Sequence, residues 1–172
     1  MINSIIRNSI RFIVLVLLQV LIVQNIRLGS YIIIFPYILF ILLLPFETPK
    51  LVVLLCAFLT GLTIDMFYDT AGMHAAACTL IGFSRYYILK LLSPRDGYEP
   101  GQTPNIDSMG PVWFITYALL IIFIHHLFLF YLEIFRFNEF FRTLLRVLLS
   151  TIGTFCFVYV VQFLFYKTDK NK

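Results

Sequence analysis

The sequence predicts an all-α, polytopic membrane protein that crosses the bilayer six times, and three observations lead there. Of the 172 residues 60% are hydrophobic, and the charged share of 13% is about half that of a soluble domain. Apolar runs close to the ~20 residues that a spanning helix needs follow one another, with short polar breaks, from end to end. Too little polar chain remains to form a soluble domain, so residues 1–172 are read as a single integral-membrane helical domain.

The first span, 8–26, follows Arg7 and Arg11 as a secretory signal would. Gln24 and Asn25 stand where a small-residue cleavage site would be needed, so it is read as an uncleaved span. The second, 31–46, is short and carries Pro36 and Pro45, so a tilted, kinked or only partly spanning helix is expected. Glu47, Thr48 and Pro49 make the turn after it. The third and fourth spans are 50–68 and 71–92, and the fifth and sixth are 111–132 and 143–166. Between the fourth and fifth, "SPRDGYEPGQTPNIDSMG" (93–110) contains Pro94, Pro100 and Pro104 with Gly97, Gly101 and Gly110, which break a helix. It is expected to be irregular, and either a soluble contact surface or a solvated linker.

Orientation follows from the basic residues on alternate sides. With the N-terminus inside, Arg7, Arg11, Lys50, Arg85, Lys90, Arg95, Lys167, Lys170 and Lys172 are cytoplasmic, and Arg27, Arg136, Arg142 and Arg146 lie outside. Nine against four, together with an even number of spans, puts both termini in the cytoplasm. The net charge of +4 is spread along the chain, without the basic cluster that nucleic acid requires, so the surroundings to expect are membrane lipids. Cys56, Cys78 and Cys156 lie in apolar segments too far apart for a metal or redox spacing and are read as packing residues.

The most informative stretch is "GLTIDMFYDTAGMHAAA", residues 61–77. Ala57, Gly61, Asp65 and Asp69 recur every four residues and stack along one face of the third helix, small and then acidic. Small residues let helices approach in lipid, and an intramembrane charge faces the bundle interior and a partner. Gly72, Ala75, Ala76, Ala77, Thr79 and Gly82 make the start of the fourth helix equally small-sided, with Thr70 as its candidate cap and Asp69 in the same tight turn. A close antiparallel hairpin follows, with Gly61 and Ala76 among the residues that permit it. Arg142 and Arg146, one turn apart on the sparsely basic side, are candidate partners: Arg146 in particular is expected to pair with Asp65 or Asp69. The rival is snorkelling to lipid headgroups, with Glu139 or Glu133 as a local partner.

Chemistry finds little support. Asp65 and Asp69 resemble the tail of the motif of CDP-alcohol phosphotransferases, but the two upstream aspartates with Gly, Ala and Arg are missing from "PFETPKLVVLLCAFLT". His74, His125 and His126 with the aspartates raise the question of a metal site. Side chains of adjacent helical residues diverge by about 100°, so His125 and His126 do not both face one ion and are read as polar contacts between helices. No catalytic residues, metal ligands or cofactor site are assigned, and an enzyme is not expected. A single pair of acids without a clear inverted repeat also weighs against a stand-alone secondary transporter.

Gly61, Leu62, Asp65, the apolar Met66 and Gly72, at the third span of a six-span chain that also contains "FPYILFILLLPF", resemble the rod shape-determining MreD family. The resemblance implies a fold similar to the substrate-binding subunits of energy-coupling-factor transporters. It also implies a non-enzymatic role in the bacterial inner membrane, in the complex that elongates rod-shaped cells. The partners it implies are an MreC-like single-span protein, a RodA-type polymerase with its transpeptidase and, indirectly, MreB. The shared fold leaves a second function open, a membrane subunit that binds a small vitamin-like molecule.

Overall fold

The computed structural model describes residues 2–26, 31–99, 101–134 and 139–166, and it is helical with no strand among them. Arg27, Arg136, Lys167, Lys170 and Lys172, used above for orientation, lie outside the described residues. Helix α1 (Ile2–Leu17) runs on into a π-helical turn (Leu18–Ile22) and a 3-10 turn (Val23–Asn25). Next come the short α2 (Ile38–Leu42), then α3 (Lys50–Tyr68) and α4 (Met73–Leu91). A four-residue α5 (Ile106–Met109) precedes α6 (Pro111–Ile134) and α7 (Phe140–Tyr166). Helix α4 packs against both α3 and α6, and α6 against α7.

Four helical stretches among the described residues are long and apolar enough to cross a membrane: Ile6–Asn25, Lys50–Tyr68, Pro111–Ile134 and Phe140–Phe165. Large apolar side chains such as Met66, Leu91, Val112 and Phe141 point outward from the helices. Such faces suit lipid and not water, and the chain is a multi-pass helical membrane protein. Helix α4 matches α3 in length but carries Arg85 and Lys90, and it is not one of the four.

The second predicted span is where the structure departs most from a run of helices. Helix is confined to Ile38–Leu42, yet Phe35 and every residue from Tyr37 to Leu44 is buried. The segment threads the middle of the bundle. Pro36 lacks the N–H that a longer helix would use, so the approach from Tyr31 is non-helical and its backbone needs other partners. Helix α7 supplies them. Ser150 Oγ accepts from Ile33 N at 3.0 Å and donates to Tyr31 O at 3.1 Å, and Thr154 Oγ1 accepts from Phe35 N at 3.2 Å. Gly153 makes room between them, since a Cβ there would stand 3.1 Å from Ile32 Cγ2. Non-helical chain at membrane depth is tolerated only when its polar groups are satisfied by protein in this way.

The 93–110 connection is folded onto the end of the bundle. Tyr98 stacks on Phe46 with centroids 4.0 Å apart and donates its hydroxyl proton to Leu89 O at 2.7 Å. Burial pushes that hydroxyl up to about 12, so it remains a donor at any ordinary pH. Phe46 N donates to Gln102 O at 3.2 Å. Helix α5 forms inside the stretch because Asn105 caps it, accepting from Ser108 N at 2.7 Å.

Candidate functional site

The α3–α4 hairpin is held closer than side chains larger than glycine would allow. A Cβ on Gly61 would run into the backbone of His74 and Ala75. One at Gly82 would come within 2.9 Å of Ala57 Cβ. The residue opposite Gly61 is therefore Ala75; Ala76, expected to share that contact, is exposed on the other side of the helix. The one-position difference arises in the turn, whose two left-handed residues, Asp69 (φ 56) and Gly72 (φ 81), set the register of α4.

Those residues also part the two aspartates. Helix α3 stops when Asp69 adopts the left-handed conformation and donates its N–H to Asp65 O, so Asp69 leaves the helical stripe and is exposed. Asp65 stays on it, 4% exposed. Its Oδ1 accepts from the Thr70 hydroxyl and from His74 N (3.0 Å), and its Oδ2 from Ala75 N (2.8 Å). The capping residue of α4 is Gly72, which has no side chain, and Asp65 supplies the missing acceptor from the neighbouring helix. Thr70, expected as the cap, instead donates to the residue that does the capping.

Neither Arg142 nor Arg146 reaches these acids. Arg146 Nη1 lies 3.1 Å from Glu133 Oε2, with the guanidinium over the Phe130 ring, and Arg142 Nη1 lies 3.7 Å from Glu139 Oε2. The expected Asp65–Arg146 pair gives way to the local-partner alternative, because α4's own N–H groups occupy the Asp65 oxygens.

Beneath the hairpin is a polar cluster for which the sequence offered only fragments. The Tyr37 hydroxyl sits between His74 Nδ1 (2.8 Å) and His125 Nε2 (3.0 Å). With a single proton, it donates to one ring and accepts from the other. His126 turns the opposite way: Nδ1 donates to Ile122 O at 2.8 Å, and Nε2 accepts from Thr154 Oγ1 at 3.2 Å. The two adjacent histidines thus serve different helices, as their divergence predicts. Phe35 packs against all three rings. Gln19, turned into the core by the π-helical turn, donates to Tyr68 Oη at 2.6 Å. Among the described residues no group of three or more His, Cys, Asp or Glu is placed to hold a metal ion.

A second set, missed in the sequence, holds the far end of α2. Arg85 is 3% exposed; its Nε donates to Tyr117 Oη at 3.0 Å and its Nη2 to the carbonyls of Leu44 and Pro45. Tyr117 donates to Leu42 O at 3.1 Å and Arg11 to Leu43 O at 3.1 Å. Cations at the last carbonyls of a helix satisfy acceptors that lack intrahelical partners. Only the placement of α2 reveals this duty, since Arg11 and Arg85 read in sequence as ordinary topogenic charges.

Fold and site together define a multi-pass helical membrane protein in which close helix packing and buried hydrogen bonds dominate the polar interior. Compared with protein-family models, curated proteins and solved structures, the chain matches none.

Proposed function

We propose that this chain is a non-enzymatic inner-membrane scaffold of the bacterial cell-elongation complex, of the kind the MreD family supplies. On this reading it makes six passages with both termini in the cytoplasm, the 31–46 segment and α4 completing the four apolar helices. One observation carries the proposal. Three residues of the resemblance build the α3–α4 hairpin: Gly61 admits the α4 backbone, Asp65 caps α4 with both oxygens, and Gly72 takes the left-handed turn between the two helices. Leu62 and Met66 face outward, on the side open to a partner's helix. The partners are an MreC-like single-span protein and, through it, a RodA-type polymerase with its transpeptidase and cytoplasmic MreB.

The vitamin-binding alternative calls for a polar cavity open to the outer side. The opening between Tyr31, Glu139, Arg142 and Arg146 measures about 190 Å³, below the ~300–1,000 Å³ of small-molecule sites; the larger one of about 700 Å³, between Phe12, Phe40 and Val52, is mostly apolar and lies by the Pro45–Pro49 turn, and the bundle centre is filled by Phe35, Tyr37 and α2. Depletion decides between the two. Rounding of rod-shaped cells, with co-purification of a single-span protein from the same membranes, is the expected outcome. Unchanged shape with lost vitamin uptake would refute the scaffold.

A further inference from the structure

We propose that the cleft between the first turn of α3 and the last turns of α4 binds an anionic, phosphate-bearing group, either the headgroup of an anionic lipid or free phosphate. The cleft encloses about 200 Å³ and is lined by Lys50, Arg85 and Tyr86 around its polar part and by Val53, Leu54 and Phe83 along its apolar wall. Among the described residues neither Asp nor Glu lines it. The acid nearest in sequence, Glu47, accepts from Gly101 N at 3.2 Å in the folded 93–110 connection.

Arg85 makes the cleft unusual. A guanidinium has five N–H groups, and Nε and Nη2 are used on Tyr117 and the carbonyls of Leu44 and Pro45, all neutral acceptors. Among the described residues no carboxylate lies within ion-pair reach of it, although it is almost wholly buried. A buried charge without a counter-charge is costly, and an anion entering the cleft relieves that cost. Lys50, at the mouth, rests with Nζ 3.3 Å above the Tyr86 ring, another neutral partner. Two cations beside an apolar wall match a phosphate attached to an acyl chain, and basic pockets between helices on the cytoplasmic side are where such headgroups bind.

The test uses the full chain purified in neutral detergent and read by thermal melting with three probes: phosphatidylglycerol, phosphatidylcholine and inorganic phosphate. At tenfold excess over Kd, phosphatidylglycerol is expected to raise Tm by about 4 °C above the phosphatidylcholine control. Lys50→Gln, at an exposed position in the first turn of α3, should melt normally without lipid and lose most of that gain, while Lys50→Arg keeps it. A gain with phosphatidylglycerol alone assigns the site to lipid. An equal gain with inorganic phosphate, again lost in Lys50→Gln, assigns it to a free anion. Phosphatidylcholine as effective as phosphatidylglycerol, or Lys50→Gln responding like the unaltered chain, overturns the proposal.

Discussion

Asp65 accepts three hydrogen bonds while nearly excluded from solvent, and two of them come from backbone N–H groups that have nowhere else to go. Replacing it by Ala leaves those donors buried and unpaired, at about 1–3 kcal/mol for each lost partner before any relaxation. Asp65→Ala is therefore expected to lower stability by about 2–4 kcal/mol, measured by titration with denaturing detergent and followed through Trp113 fluorescence. Asp69→Gly should be neutral or mildly stabilising, because the exposed Asp69 occupies a backbone conformation that glycine adopts without strain. Charge exchange separates the two models of pairing. Arg146→Glu combined with Glu133→Arg should recover part of what each single change loses, whereas exchanging Asp65 with Arg146 should recover nothing. At this scale Gly61, Asp65 and Gly72 were legible in the sequence, since small and acidic residues at four-residue steps have few uses in lipid. The roles of Asp69, Thr70 and Ala76 were not, because they depend on a helix ending one residue before the periodic pattern does.

At the scale of elements, hydropathy located every long helix but not what happens between Tyr31 and Phe46. Burial in protein and burial in lipid select the same residues, so an apolar run cannot say whether it is helical, and Pro36 and Pro45 hinted only at interruption. The complementary signal lies far away in the chain. Ser150 and Thr154 are one turn apart on the face of α7 that meets the segment, with Gly153 between them against Ile32. Thr154→Val keeps the volume but removes the acceptor for Phe35 N and the donor for His126, and Ser150→Ala removes the partner of both Ile33 N and Tyr31 O. Each should cost about 1–3 kcal/mol, and together they should raise amide hydrogen exchange in residues 31–35 while leaving the α3–α4 hairpin protected. A double variant with exchange unchanged in 31–35 would mean that α7 does not hold this segment.

For the whole molecule, the structure alters how the charge bias should be weighed. Arg85 is buried against the end of α2 and Arg146 is paired with Glu133, so both sit where packing requires them and say little about topology. Setting them aside, and Arg11 with them for its bond to Leu43 O, leaves seven basic residues on the proposed cytoplasmic side (nine less Arg11 and Arg85) and three outside (four less Arg146), so the bias keeps its direction. The α3–α4 turn should then face outward, and the folded 93–110 connection the cytoplasm. Asp69 and Asp96 are both exposed and serve as reporters of the two sides. With Cys56 and Cys156 replaced by Ala, a membrane-impermeant maleimide should label Asp69→Cys in intact spheroplasts and Asp96→Cys only after permeabilisation. Cys78 needs no replacement because it is fully buried. The reverse pattern would invert the molecule and place the Lys50–Arg85 cleft in the outer leaflet. It would also turn the α3–α4 hairpin, with its capping Asp65, toward the cytoplasm.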